Sequence, residues 1–536
     1  MPERSWWRHG VIYQIYPRSF ADADGDGVGD LRGIAERLDH LGDGTDRSLG
    51  VGAIWLSPIY PSPMGDFGYD VSDYTDVHPV FGTLADFDHL IAEAHARGIR
   101  VIVDWVPNHT SDRHPWFEAS RSSREDPKRD WYLWRDSAPG GGPPNNWMSA
   151  FERCGRAWTW DEATEQWYLH SFMPEQPDLN WDNPAVEAAM HDTLRFWLDR
   201  GVDGFRIDVT HKLGKDPELS DNPAEVAAGR PASGVIRPDQ DWPSGHERLR
   251  AIRRVVEEYE DRMIVGEVYI LEQARLVEYV NTGDELHLAH NFVFVHLPWS
   301  ATAFHEAVDE WESVANPEAW PVWFLSNHDH SRVASRYDGD GRGAARARVA
   351  AMLVLTLRGT GSLYQGEELG LPDVFVPPER EVDVDGRDPE RSPMPWAPPS
   401  AAGPGAGFTT GEPWLPMEPD AERLAVAVQA ADPDSTLSFF RRLVHYRNGS
   451  DALAHGAYHP REAAEDVFAY VRAHEGERLL VALNFASEQR PLGLAAVDDE
   501  VAGRLELSTH GERPPGGVEL RALVLWPDEG VVLRLS

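Results

Sequence analysis

The sequence feature that most constrains the fold is an alternation of short apolar runs with longer helical patterns. Within most of these runs apolar and polar residues do not alternate, as expected for a β-strand that is buried on both faces. The runs cover residues 11–16, 53–58, 100–106, 204–209, 263–268, 290–294, 322–326 and 362–364. Amphipathic segments follow them at residues 31–41, 84–97, 185–200, 246–259, 271–279, 303–311, 346–357 and 436–447. Eight such units in order predict an α/β fold, a closed (β/α)8 barrel; a doubly wound open sheet is the structural alternative.

Two stretches interrupt this rhythm. Residues 109–180 follow the third run, are too long for a simple loop, and are rich in Trp, Pro, Gly and Arg. After about residue 456, short strand-like runs at 466–472, 478–484 and 522–525 follow one another without long helices between them. We therefore predict a barrel from residues 1–108 and 181–455, an inserted B subdomain at 109–180, and a C-terminal β-sandwich at 456–536.

Charge and cysteine content exclude several classes of partner and site. The 50 basic and 89 acidic residues give a formal net charge of −39, which disfavours binding to nucleic acid or to anionic membranes. A single cysteine, Cys154, excludes an intramolecular disulfide framework and suits a reducing compartment. No secretory signal pattern is present, and the longest apolar segment, residues 347–357, is far shorter than the ~20 residues of a membrane span. We expect a cytoplasmic protein, monomeric or dimeric.

Three of the runs end in a carboxylate, and catalytic groups of such barrels lie at the C-terminal ends of strands. These residues are Asp208, Glu267 and Asp329. A pair of carboxylates can hydrolyse a glycoside: one attacks the anomeric carbon, and the other protonates the leaving oxygen and later activates water.

Arg206 shares a strand face with Asp208 and can hold it ionised, which suits a nucleophile. The apolar strand around Glu267 favours a protonated carboxyl, which suits an acid/base. Asp329, beside His328, could bind sugar hydroxyls. The alternative is that these carboxylates cap helices or pair with arginines.

The segments around these residues resemble the signature segments of the α-amylase family, glycoside hydrolase family 13. The segments are DWVPNH at 104–109, GFRIDV at 204–209, GEV at 266–268 and SNHD at 326–329. The resemblance runs nearly end to end, from the opening WWRHGVIYQIYPRSFAD through YQGEELG after the eighth run and into the C-terminal part. It implies Asp208 as nucleophile, Glu267 as acid/base and Asp329 as transition-state stabiliser. It also implies three ligands of the reacting sugar: His109, Arg206 and His328.

Further segments point to one branch of this family. QPDLN at 176–180 is similar to a segment that marks oligo-1,6-glucosidases and α-glucosidases rather than endo-acting amylases. DFGYD at 66–70 resembles the segment that closes the pocket around a non-reducing-end glucose, which implies that role for Asp66 and Tyr69. A stretch resembling residues 386–396 supplies another sugar-binding arginine, for which we prefer Arg387 to Arg391. The usual Gln before the tryptophan of that stretch is Pro395 here.

The segment DADGDGVGD at 22–30 alternates carboxylates with small residues. Oxygens at its first, third, fifth and ninth positions, with a backbone carbonyl at the seventh, would surround a hard cation such as Ca²⁺. An EF-hand would need Glu at the twelfth position, which is Gly33 here. The branch resembled here has a calcium loop at this place, so we expect a structural Ca²⁺ ion; an acidic turn without an ion is the alternative. The predicted ligands are Asp22, Asp24, Asp26, Val28 and Asp30.

Together these features predict an exo-acting, retaining α-glucosidase that acts on short, neutral α-glucosides of the maltose or isomaltose type. A transglucosylase or a sucrose-type isomerase would share the same covalent intermediate, so the strand-end residues do not separate these reactions. A non-catalytic sugar-binding or transporter-associated homologue is the alternative from another class, which the three carboxylates disfavour. In the branch resembled here, Val at position 209 tends to accompany α-1,6 bonds, so we expect isomaltose to be preferred, with maltose close behind.

Overall fold

The computed structural model describes residues 5–227, 235–494 and 502–535. Its centre is a ring of eight parallel strands: β1 (Val11–Ile15), β2 (Ala53–Leu56), β3 (Arg100–Trp105), β7 (Gly204–Ile207), β8 (Met263–Val268), β9 (Leu288–Asn291), β10 (Pro321–Trp323) and β11 (Thr360–Tyr364). The three intervening strands lie in the B subdomain: β4 (Trp134–Arg135), β5 (Trp158–Asp161) and β6 (Gln166–Leu169). The first strand pairs with both the second and the last, so the sheet closes. The predicted (β/α)8 barrel is confirmed, and an open sheet is excluded.

The amphipathic segments form helices between these strands, and their starts carry local signals. Asp30 caps the first long helix by accepting from the backbone N–H of Gly33, and Thr83 forms a capping box with Asp86. The helices are Trp6–His9, Leu31–Leu41, Leu84–Ala96, Pro115–Ser122, Pro184–Asp199, Ala224–Ala227, Pro243–Val256, Gln273–Leu276, Glu278–Asn281, Val293–His296, Ala301–Val314, Val333–Arg336, Gly343–Thr356, Pro399–Ala402, Ala421–Leu424, Val426–Gln429, Thr436–Asn448 and Asp451–His455. Every helix in the described part of the chain is too short or too polar to span a bilayer.

The sixth strand differs from its prediction at residues 290–294. It begins earlier, at Leu288, and ends at Asn291, and the apolar residues after it form the helix Val293–His296. The side chain of Asn291 accepts from the backbone N–H of Val293, which ends the strand and turns the chain into the helix. An apolar run alone did not distinguish the buried strand from the buried helical turn.

The B subdomain is inserted after β3, as predicted. Its three short strands form an antiparallel sheet in the order β4-β6-β5. Phe117 packs its ring parallel to Trp134, with a centroid distance of 5.7 Å. The segments that enter and leave the subdomain are joined, because His109 and Asp178 form an antiparallel bridge. This bridge holds the inserted segment at the C-terminal end of the third barrel strand.

The C-terminal part is all β, as predicted. A six-stranded antiparallel sheet and a two-stranded sheet enclose a separate apolar cluster that includes Leu480, Leu492 and Leu525. The strands are β12 to β19: Ala457–Arg461, Val467–His474, Glu477–Asn484, Arg490–Pro491, Ala502–Ser508, Gly516–Glu519, Val524–Leu525 and Gly530–Leu535. The other face of the larger sheet packs on the barrel, where the hydroxyls of Tyr470 and Thr356 lie 2.6 Å apart.

Candidate active site

The C-terminal ends of the barrel strands open into a cavity of about 730 Å³. Most of the site residues predicted from the sequence line it: Asp66, Tyr69, His109, Asp208, Glu267, Asp329 and Arg387. Arg206 and His328 lie behind this lining, and each residue is only 1% exposed. The structure therefore brings the predicted side chains together around one space.

Arg206 connects the carboxylates at the ends of β7 and β8. Its Nη1 atom donates to Asp208 Oδ1 at 2.6 Å, and its Nη2 atom donates to Glu267 Oε2 at 2.7 Å. Nη1 also donates to Asp104 Oδ1 at 2.9 Å, because Asp104 on β3 lies beside Arg206 in the sheet register. One guanidinium thus binds three carboxylates, of which Asp104 and Asp208 are buried and Glu267 is partly exposed. Asp104 opens the segment at 104–109, but its place in the sequence does not indicate a contact with Arg206.

The charges of this group do not balance. Burial raises the pKa of Asp208 well above its ordinary range, although the positive charge of Arg206 opposes the shift. Burial also raises the pKa of Asp104, to about 6. The expectation that Arg206 would outweigh burial at Asp208 is therefore wrong, since the guanidinium is shared with two other carboxylates. Carboxylates crowded in this way retain a proton between them.

The residue after Asp208 positions the carboxylate of Glu267. Val209 has φ 36° and ψ 47°, a left-handed conformation that is unfavourable for a β-branched residue. In this conformation its backbone N–H donates to Glu267 Oε2 at 2.9 Å. Together with the Arg206 bond, this contact fixes one oxygen of Glu267. The strained turn is thus tied to the geometry of the carboxylate pair.

Asp329 lies in a different electrostatic environment. Its Oδ1 atom accepts from Arg387 Nη1 at 2.9 Å and from Arg391 Nη2 at 3.0 Å, and its Oδ2 atom lies 3.2 Å from His328 Nε2. Burial disfavours the ionised form, but His328 and the two arginines outweigh it and hold the pKa of Asp329 well below its ordinary range. Arg387 lines the cavity, whereas Arg391 is buried beneath it. Asp329 is therefore a permanent negative charge in the cavity wall.

The remaining predicted sugar ligands form one end of the cavity. Gln176 donates to Asp66 Oδ2 at 2.9 Å, and Arg387 donates to Asp66 Oδ1 at 2.6 Å. The hydroxyl of Tyr69 donates to Asp104 Oδ2 at 3.0 Å. The Tyr69 ring stacks on His328, with an interplanar angle of 6°. Every polar side chain at this end is held by at least one neighbour.

Several residues of the cavity wall were not predicted. Tyr269 and His330 follow Glu267 and Asp329 by two residues and one residue, so their place after a strand end could have identified them. Phe151 and Phe172 come from the B subdomain and carry no local sequence signal beyond its aromatic richness. Asp383 was not predicted either; it is buried outside the cavity lining, accepts from both Arg387 and Arg391, and comes from the long loop after β11.

The acidic loop at residues 22–30 lies between β1 and the helix Leu31–Leu41. Carboxylate oxygens of Asp22, Asp24 and Asp30 lie within 4.8 Å of one another. Asp26 does not belong to this group, and its Oδ1 atom accepts from the backbone N–H of Val28. Only part of the predicted set of ligands therefore converges.

Comparison with known proteins places these observations in one family. Residues 14–456 match the family model for the α-amylase catalytic domain. A probable α-glucosidase from Rhizobium meliloti is 44% identical over 535 residues, which cover 95% of this chain and 94% of that protein. An oligo-1,6-glucosidase from Parageobacillus thermoglucosidasius is 38% identical over 533 residues, which cover 91% and 92% of the two chains. The crystal structure of the α-glucosyl transfer enzyme XgtA is similar over 100% of both chains, with a TM-score of 0.90 and 39% identity. The chain therefore belongs to the α-amylase family of glycoside hydrolases, in the branch of the α-glucosidases and oligo-1,6-glucosidases.

Proposed function

We propose that this chain is an exo-acting, retaining α-glucosidase that removes glucose from the non-reducing end of short, neutral α-glucosides. The observation that carries the proposal is the arrangement around Arg206, which joins Asp208 and Glu267 at one cavity wall. Two carboxylates so placed have the complementary protonation needs of a retaining pair, one ionised and one protonated.

In the first step, the Asp208 carboxylate attacks the anomeric carbon and the bond to the glycosidic oxygen breaks. Glu267 gives its proton to that oxygen, so the leaving group departs as a neutral alcohol. The product of the step is a glucosyl ester on Asp208.

In the second step, Glu267 takes a proton from a water molecule whose oxygen attacks the same carbon. The ester bond to Asp208 breaks, the Asp208 carboxylate is restored, and glucose leaves with its original α configuration. The backbone N–H of Val209 and the guanidinium of Arg206 hold Glu267 in place for both steps. Asp329 remains ionised between its arginines and can stabilise positive charge that develops on the sugar ring.

Exo-action is supported by the closed end of the cavity. Asp66 and Arg387 form an ion pair with an oxygen-to-nitrogen distance of 2.6 Å, and Tyr69 lies beside them. A sugar chain cannot continue past this wall, so the terminal glucose ring would be held there by the ion pair and by the Tyr69 ring.

The substitution Asp208→Asn tests this mechanism. We expect a loss of several orders of magnitude in kcat, because the amide cannot form the ester, with no change in the circular dichroism spectrum of the fold. Proton NMR of the first product should show α-glucose from an α-glucoside. β-Glucose as the first product would reject the retaining mechanism.

Transfer of glucose to a sugar acceptor is the second candidate function. It is supported by the similarity to the α-glucosyl transfer enzyme XgtA across the whole chain. Product analysis at high maltose concentration separates the two functions: oligosaccharides would dominate for a transglucosylase, and glucose for a hydrolase.

We further propose that residues 22–30 bind a structural Ca²⁺ ion. The support is the all-oxygen donor set and the convergence of Asp22, Asp24 and Asp30, to which Asp26 and the carbonyl of Val28 could be added. The loop is joined to the long loop after β11, because Thr409 donates to Asp22. The ion would therefore stabilise loops and take no part in the chemistry. A cytoplasmic location, which the single cysteine supports, is likewise our proposal.

A further inference from the structure

Lys215 lies in the loop after β7, and its ammonium group makes two hydrogen bonds and one ion pair. Its Nζ atom donates to the carbonyl oxygen of Lys212 at 2.7 Å and to Asn108 Oδ1 at 2.9 Å, and it lies 3.0 Å from Asp178 Oδ2. The Lys215 side chain is 8% exposed, and Asn108 and Asp178 are fully buried. One ammonium group thus joins the loop after β7 to the end of β3 and to the B subdomain.

The contact with Lys215 fixes the orientation of the Asn108 amide. An ammonium group only donates hydrogen bonds, so the oxygen of the amide must face it. The amide nitrogen then faces the ring of the next residue and lies 3.1 Å from His109 Nδ1. Since an amide nitrogen only donates, Nδ1 of His109 must accept and carries no proton.

The proton of a neutral His109 must therefore be on Nε2. This assignment agrees with the other contact of that atom, because Nε2 lies 3.1 Å from the carbonyl oxygen of Tyr69, which can only accept. Gln176 Nε2, which can only donate, also lies 3.2 Å from His109 Nε2, and this contact alone would favour the other tautomer. The two shorter contacts, from Asn108 to Nδ1 and from Nε2 to the Tyr69 carbonyl, both place the proton on Nε2, while Gln176 donates to Asp66 Oδ2 at 2.9 Å. The ring lines the cavity, so a sugar hydroxyl bound there can accept from this N–H in competition with the Tyr69 carbonyl.

We propose that Lys215 is a positioning residue that, through Asn108, sets the tautomer of His109 so that Nε2 presents a proton to the glucose ring. The inference rests on the proposed function in one respect, namely that the sugar binds at His109. Lys215, in the loop after β7, would thus influence glucose binding at a residue that follows β3. Neither the motif around Asn108 nor the sequence position of Lys215 indicates that role.

The substitution Asn108→Asp should move the proton of a neutral His109 to the other ring nitrogen, without removing a side chain. A carboxylate accepts from both Lys215 and His109, so a neutral His109 would carry its proton on Nδ1 and lose its Nε2 donor. Besides the new carboxylate, the charged groups facing His109 are Asp178, Asp66 and Lys215. Burial lowers the pKa of His109, and a carboxylate at position 108 would raise it by stabilising the imidazolium.

The expected result is a new pH dependence of KM. At low pH the imidazolium of Asn108→Asp keeps its Nε2 proton, so KM stays near the wild-type value. At higher pH the neutral Nδ1–H form cannot donate, and KM should rise about five- to tenfold relative to wild type, the value of one hydrogen bond. Asn316→Asp, an exposed position, is the control for added negative charge.

Nitrogen NMR of protein labelled with ¹⁵N-histidine reads the tautomer directly, with His109→Gln to assign the signals. Wild type should show His109 protonated at Nε2 and unprotonated at Nδ1, and Asn108→Asp should show the reverse above its new pKa. Lys215→Met should give a mixed signal and a higher KM, whereas Lys128→Met, a lysine that lies over Trp131, should change neither.

Wild-type protein with the proton on Nδ1, or an Asn108→Asp variant with unchanged ring signals, would overturn the proposal even if Lys215→Met does not fold. These signals do not depend on turnover. Absence of glucosidase activity in the wild-type chain would reject the proposed function instead, so the two failures are distinguishable.

Discussion

Glu390 provides a quantitative test of the electrostatics beneath the cavity. It lies in the short 3-10 helix Pro389–Arg391, whose last residue holds Asp329, and it is only 6% exposed. Burial raises its pKa from 4.5 to about 8, and nearby Asp373 contributes in the same direction. The folded protein therefore keeps this carboxyl protonated at pH values where the unfolded chain has already ionised it.

The sign of the effect follows from linkage. Because the folded pKa is raised, the stability associated with the protonated group is fully present below pH 4.5 and is lost as the pH rises through about 8. Between pH 6 and pH 8.5 the loss should be about 2–3 kcal/mol, taking about 1.4 kcal/mol for each pKa unit. For a chain of 536 residues this corresponds to about 2 °C in melting temperature.

Glu390→Gln replaces the protonated carboxyl by a neutral group of the same shape. The melting temperature of the variant relative to wild type should therefore increase by about 2 °C between pH 6 and pH 8.5. Differential scanning calorimetry at both pH values measures it, with the exposed Glu379→Gln as the matched control. A difference between Glu390→Gln and wild type that does not change with pH would refute the reasoning.

Three further predictions concern the pocket, the acidic loop and a second buried carboxyl. Val209→Thr keeps the β-branched shape of the side chain and the backbone N–H that binds Glu267. It should shift the ratio of kcat/KM for isomaltose to kcat/KM for maltose toward maltose by roughly tenfold. An unchanged ratio would mean that the loops over the cavity set the linkage preference. A calcium chelator should lower the melting temperature, by an amount equivalent to about 2.7 kcal/mol if Ca²⁺ was present at 100 times its Kd. The double substitution Asp22→Asn with Asp24→Asn should abolish this response. If the chelator does not change the melting temperature of the wild type, the loop is an acidic turn that binds no ion. Glu367→Gln should reproduce the pH effect of Glu390→Gln at lower pH, since burial raises the pKa of Glu367 only to about 7; melting curves at pH 5.5 and pH 7.5 measure it.

The barrel could be predicted from the sequence because each strand is a short apolar run and each helix has a separate pattern. The same regularity located Asp208, Glu267 and Asp329, since the end of a strand in a closed barrel is a defined place in space. The prediction was wrong where an apolar run continued past the strand, as at the helix Val293–His296. There a single side-chain contact from Asn291 ended the strand, and no pattern of hydrophobicity reports such a contact.

The electrostatics of the site could not be predicted in the same way. The ion pair between Arg387 and Asp66 joins residues 321 positions apart, and Asp383 reaches both arginines from a loop without regular structure. Whether burial or an arginine dominates the pKa of Asp208 depends on how many carboxylates share that arginine. Sequence order placed Arg206 beside Asp208, but it did not indicate that Asp104 and Glu267 bind the same guanidinium.

The distribution of arginines explains how aspartates of one site can have opposite pKa shifts. Asp104 and Asp208 share the single guanidinium of Arg206 with Glu267, so burial is not fully compensated and raises the pKa of both aspartates. Asp66, Asp329 and Asp383 share two guanidinium groups, those of Arg387 and Arg391. At Asp329 these two arginines and His328 outweigh burial, so its pKa lies below the ordinary range. The number of cations that a cluster of carboxylates shares therefore decides whether burial raises the pKa of an aspartate or is outweighed. Residue identity at the strand ends does not indicate this difference, because it does not report how many cations each carboxylate contacts.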